Sequence, residues 1–100
     1  MLNQIVLVGR LVDKPEVTKL ENDKLVTTIT ISVQRVYKNS EGIYETDLIK
    51  CVLWNNIAEK TVEFCKKDDV VGIKGRLQVN KSVTEVVAEK VTCISNKKDE

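Results

Sequence analysis

The sequence predicts a small all-β barrel, and two observations carry that prediction. β-branched residues dominate a chain that has one proline and no low-complexity tract. From Leu25 to Val33 the alternation is clean, with Ile29, Ile31 and Val33 on one face and Thr28, Thr30 and Ser32 on the other. A chain of 100 residues is one domain with a modest core, and domains of this size often gain stability by oligomerising.

The elements follow in order. Met1 to Val12 reads as a strand interrupted at Gly9, where a missing Cβ permits a bend or bulge. Asp13 to Asp23, with Pro15 and the polar run Glu21, Asn22 and Asp23, reads as a connection. Leu25 to Val33 is the second strand. Lys38 to Gly42 (KNSEG) has turn chemistry, so Tyr37 and Tyr44 flank a hairpin loop. Thr46 to Trp54 is the third strand. Asn55 or Asn56 is then placed to cap a helix through its side-chain oxygen. Apolar residues at Ile57 or Ala58, Val62 and Cys65 keep roughly helical spacing, and Lys66 and Lys67 sit where the helix dipole favours positive charge. Val70 to Val79 and Val83 to Ile94 are the last two strands. Residues 1–95 are thus expected to form the domain, and 96–100 a short flexible end.

Composition excludes several classes. Sixteen basic against fifteen acidic residues leave the bulk charge near neutral, so any grip on nucleic acid has to come from how charge is distributed. No histidine is present, and Cys51, Cys65 and Cys93 form no C-x-x-C pair, which argues against a zinc site. The three are expected to be reduced, small hydrophobic residues in a reducing compartment. There is no signal peptide and no apolar run near the ~18 residues that cross a bilayer, so a cytoplasmic protein is expected. No Walker motif, nucleophile–base pair or carboxylate cluster is visible, and no enzyme, cofactor or metal is expected.

Candidate binding residues come from strand parity. Leu48, Lys50, Val52 and Trp54 share one face of the third strand, while Ile49, Cys51 and Leu53 share the other and make the better core. On the fourth strand Val71, Ile73, Leu77 and Val79 point one way, and Lys74, Arg76 and Gln78 the other. Two strands each with an apolar and a basic face suggest a surface that tracks phosphates, with an aromatic ring on which an unpaired base stacks. Gly72 and Gly75 suggest barrel curvature, Phe64 reads as packing, and Lys66 and Lys67 as solubility charges.

Four segments in order, LVGRL with KPE at Leu7–Leu11 and Lys14–Glu16, CVLW at Cys51–Trp54, VVGIKGRLQ at Val70–Gln78 and TEVVAEKV at Thr84–Val91, resemble the bacterial-type single-stranded DNA-binding protein family. The resemblance runs from Met1 to about Val91. It implies an OB-fold, a five-stranded Greek-key β-barrel with one short helix between the third and fourth strands. It also implies sequence-nonspecific binding and protection of single-stranded DNA in replication, recombination and repair, on a homo-oligomer that is a tetramer or, as the alternative, a dimer. Nucleoid association and contacts with replication and repair proteins are implied with it. Aromatic positions of the family fall on Trp54 and Tyr37, and basic ones on Arg10 and Arg35. With Lys50, Lys74, Arg76 and Leu48 they make up the expected DNA-binding set. Tyr37 shares parity with Ile31 and Val33, so it faces outward only if a bulge intervenes or the hairpin extends beyond the barrel. Where many members have another aromatic, Leu48 offers apolar contact without a π-face.

Two departures stand out. Only Asn80, Lys81 and Ser82 separate the last two strands, where many members have a long hairpin. The chain also ends at Asp99 and Glu100 without the acidic, hydrophobic tip of the family, as expected of a natural short form or a shortened chain. These departures keep a second reading open: an OB-fold primosomal, replication-restart adaptor working mainly through protein contacts.

Overall fold

The computed structural model describes residues 1–95, so the expected flexible end at 96–100 lies outside the described residues. Six strands and one helix follow in the order β1 (Ile5–Leu11), β2 (Thr18–Lys19), β3 (Leu25–Lys38), β4 (Tyr44–Trp54), α1 (Asn55–Phe64), β5 (Val70–Asn80) and β6 (Val83–Ser95). The sheet runs β1-β5-β6-β4-β3-β2, and β1 also pairs with β3 at Arg10↔Ser32 and Leu11↔Ile31, which closes the barrel. Every pairing is antiparallel except β4 with β6, which is parallel at Cys51↔Val86 and Val52↔Val87. Setting aside the two-residue β2, this is the five-stranded order the sequence predicts, with the helix between the third and fourth long strands. Pairing of β1 with β3 makes the barrel closed rather than partly open.

Alternation fills the interior. Leu11, Ile29, Ile31, Cys51, Leu53, Val71 and Ile73 are buried, and α1 adds Ala58 and lies against β3, β4 and β6. Val86 and Ala88 point into the interior, while Val87 between them is buried on the outer side, flanked by Arg76 of β5 and Val52 of β4. Gly9 marks a close crossing rather than an interruption. A Cβ there would lie 2.6 Å from the Ser32 carbonyl oxygen, so only glycine lets β1 approach β3. At Gly75 a Cβ would run into the Val87 carbonyl.

Several expectations are corrected. Both long hairpins run past the barrel: β3 continues to Lys38, and β5 and β6 pair out to Asn80↔Val83. The turn of the second hairpin is therefore Lys81–Ser82 alone, with φ of 53° and 68°, the left-handed pair that closes tight two-residue hairpins. Leu77 and Val79, expected beside Val71 and Ile73 in the core, consequently stand exposed beyond it. Asn55 does not cap α1. Its φ is 52°, and its Oδ1 accepts from the Leu25 N–H at 3.1 Å, pinning the helix start to β3. Lys66 and Lys67 lie beyond the helix, whose last turn holds no basic residue. Phe64 is exposed rather than packed.

The cysteines divide. Cys51 is a free, buried thiol, and loss of hydration pushes its pKa up to about 11. Cys65 and Cys93 are brought side by side, with Cα atoms 6.1 Å apart, within reach of a disulfide. The pair sits where the end of α1 meets β6. Nothing in a 28-residue sequence separation announces that the barrel brings these two ends together.

Candidate nucleic-acid interface

The outer face of the β3–β4 ladder is built by register. Val26, Thr28, Thr30 and Ser32 on β3 lie directly across from Trp54, Val52, Lys50 and Leu48 on β4. Short β3 side chains beside longer β4 ones leave a shallow face with its large groups along one rail. Leu48 is 67% and Trp54 37% exposed, so Trp54 is not a core residue. Trp54 is also the last residue before α1, in extended conformation with φ −116° and ψ 143°. The helix thus starts beside the indole without covering it. Lys50 is exposed and takes part in no ion pair among the described residues.

Arg10 joins this face from a third strand. Its partner across the ladder is Ser32, and Ser32 in turn faces Leu48, so Arg10, Ser32 and Leu48 form one row over β1, β3 and β4. The Arg10 guanidinium donates to the Asp68 carbonyl oxygen at 2.8 Å, which fixes the side chain, and it is in no ion pair among the described residues.

Arg76 lies on this outer face too, in one row through Val87 of β6 to Val52 of β4, while Lys74 and Arg35 lie elsewhere. Lys74 is outward on β5 between Val6 of β1 and Lys90 of β6, a pair of lysines across the ladder that parity on β5 alone could not show. Arg76 donates to Glu89 at 3.1 Å and to Gln78 at 3.0 Å. Arg35 sits on the β3–β4 arm beyond the barrel, with parity opposite to that of Lys50 and Trp54. It donates through Nε and Nη2 to both Asp47 oxygens and through Nη1 to Glu45. The hydrogen bond from Arg35 holds the Asp47 carboxyl below its ordinary range, and the same bond raises Arg35 further. Tyr37, 66% exposed, stands on that arm within the register shift between Gln34 and Lys38. Its exposure reflects a strand extended beyond the barrel. Across the arm, Lys38 Nζ lies 5.6 Å from the centre of the Tyr44 ring.

The expected set therefore divides into one patch (Arg10, Leu48, Lys50 and Trp54), with Arg76 joined to it across Val87, and the outlying Lys74, Arg35 and Tyr37. Sequence reasoning missed Ser32 as the link between β1 and β4, Lys90 beside Lys74, and the carboxylates that neutralise Arg35 and Arg76. The partners of Arg35 could have been found by folding the hairpin about its KNSEG turn, which places Glu45 and Asp47 opposite Arg35 and Val33. No group of histidine, cysteine or acidic residues suited to a metal occurs among the described residues, and no helix among them is long and apolar enough to cross a membrane.

Comparison with known proteins decides the family. The description that matches, over residues 2–96, is the Single-strand binding protein family. The chain belongs to that family. Single-stranded DNA-binding protein B of Bacillus subtilis is 39% identical over 91% of this chain and 88% of its own length. Single-stranded DNA-binding protein 3 of Listeria innocua is 38% identical over 99% of this chain and 68% of its own. Among solved structures, a deletion mutant of the single-stranded DNA binding protein from Thermus aquaticus superimposes with a TM-score of 0.77 over 96% of this chain and 52% of that one. At 18% identity that likeness speaks for the fold, and it agrees with the OB-fold strand order found here. Members of the single-strand binding family thus share with this chain both sequence and barrel.

Proposed function

We propose that the chain binds single-stranded DNA without sequence preference and protects it during replication, recombination and repair, acting in the cytoplasm without catalysing a reaction. The observation that carries this reading is the uncovered outer face of β4, where Trp54 and the unpaired Lys50 flank one another across Val52. An aromatic ring beside a free cation is what a base and its phosphate require. The names of the relatives support the same activity, and none of those compared above is named as an adaptor. The replication-restart reading therefore has no support.

The working form is proposed to be a homo-oligomer, a tetramer in the fullest case. β1 pairs with β3 only at Arg10 and Leu11, so from Ile5 to Gly9 its second edge has no partner strand among the described residues. Met1, Leu2, Val6 and Val8 are exposed along it. An apolar open edge of this kind is a liability unless another subunit covers it.

Trp54 is the only tryptophan in the chain, so its emission reports one site. Poly-thymidine should quench it to saturation, and a mixed-sequence strand should do so with similar affinity. Light scattering on the same sample should show a dimer or larger at ~10 μM, a concentration at which stable assemblies hold. Emission indifferent to every oligonucleotide, in a protein that is folded, would end this reading.

A further inference from the structure

The β3–β4 arm sets one arginine against two carboxylates. Arg35 donates to Asp47 Oδ2 at 3.1 Å and Oδ1 at 2.9 Å in a two-pronged grip, and to Glu45 Oε1 at 2.7 Å. Asn39 Nδ2 holds the other Glu45 oxygen at 3.3 Å. All three charged side chains are 42–48% exposed, so the cluster is open to solvent. Exposed pairs of this kind add little to fold stability, which makes a purely structural purpose a weak explanation for two carboxylates on one guanidinium. The fork that grips a carboxylate in two places grips a phosphate by the same geometry.

We infer that Glu45 and Asp47 are internal competitors for DNA phosphate: they occupy the Arg35 donors in the free protein, and a phosphate reaches Arg35 only by displacing them. This rests on the single-stranded DNA reading above. Arg35 then gains one anion only by releasing another, so its net contribution to affinity is the small difference between the two. It also adds little to the salt dependence, because the carboxylates already neutralise it. Release from DNA is eased, since the carboxylates stand ready to recapture the guanidinium. The arm is therefore a weak, fast-exchanging contact, set apart from the stronger one at Trp54 and Lys50.

The test is the double variant Glu45→Gln with Asp47→Asn, which keeps shape and removes charge. Its affinity for an oligo-thymidine is measured against salt, beside the parent and a control carrying Glu59→Gln and Glu63→Gln. These control residues are exposed on α1 and in no ion pair among the described residues. Freeing one cation for phosphate should steepen the log–log salt slope by about 0.7, which corresponds to roughly fivefold tighter binding at ~0.1 M salt. The control should gain clearly less, and adding Arg35→Met to the double variant should abolish its gain. Equal gains in both variants would mean a diffuse charge effect, and weaker binding with a lower melting temperature would mean that the cluster only staples the arm; either overturns the inference. Should the double variant fail to fold, Glu45→Gln alone should show a smaller gain of the same sign, and no gain would count against it. A parent that does not bind the oligonucleotide fails the earlier reading instead.

Discussion

Neighbouring residues of β4 live in opposite environments. Cys51 and Leu53 are sealed at 0% exposure, while Leu48 and Trp54 stand in solvent on the other side of the same ribbon. The buried face is uniform because an interior accepts only groups that need no water. The outer face mixes a leucine, a lysine, a valine and a tryptophan, a combination that burial does not explain and that a ligand with bases and phosphates does. The difference teaches where each kind of energy resides. Hydrocarbon removed from one face should cost folding, and from the other, binding.

The largest effect should come from the inner face. Leu53→Ala leaves a cavity in a closed barrel and should cost about 2–5 kcal/mol of stability. Denaturant unfolding measures this, and the folded fraction should still bind oligo-thymidine as the parent does. Lost affinity in a variant that remains fully folded would show that the two faces are not separable.

Next is Trp54→Ala. Loss of a stacking ring should weaken binding by about 1–3 kcal/mol per base, or roughly five- to a hundred-fold. Stability should fall by less than the ~3–5 kcal/mol that truncating a core aromatic costs, since the indole is 37% exposed. A variant that melts early yet binds as tightly as the parent would assign Trp54 to the fold and leave stacking to Tyr37.

The inner face was legible from sequence and much of the outer patch was not, for a physical reason. Alternation identifies Cys51 and Leu53 because a period of two is a local property. The same rule failed at Leu77 and Val79, where the pattern continues but the barrel behind it has ended. Strand order came with the family resemblance, whereas the closeness of Cys65 and Cys93 depends on how α1 lies against β6. In the site, Leu48, Lys50 and Trp54 follow from one strand. The row through Arg10, Ser32 and Leu48 is set by register between segments far apart in the chain, and no local pattern encodes it. The charge state of Arg35 and Arg76 was missed because a sequence counts cations, while a phosphate meets only those that are free.

That distinction between free and engaged cations gives the finest test of the comparison. Lys50 has no ion-pair partner among the described residues, whereas Arg76 is bound to Glu89 at 3.1 Å. Lys50→Gln should flatten the salt slope by about 0.7 and weaken binding roughly fivefold at ~0.1 M salt, for every sequence alike. Removing Arg76 and Glu89 together, as Arg76→Gln with Glu89→Gln, deletes a cation without changing net charge. It should move slope and affinity much less, because the guanidinium was already neutralised. Both variants change only exposed side chains, so melting temperatures near that of the parent are expected and serve as the check on folding. If deleting the pair flattens the slope as much as Lys50→Gln does, Glu89 does not neutralise Arg76 toward DNA. The free protein's ion pairs would then be a poor guide to which cations bind. If only Lys50 moves the slope, the grip on phosphate belongs to the free cation beside Trp54, and the carboxylate-bound Arg76 contributes little to it.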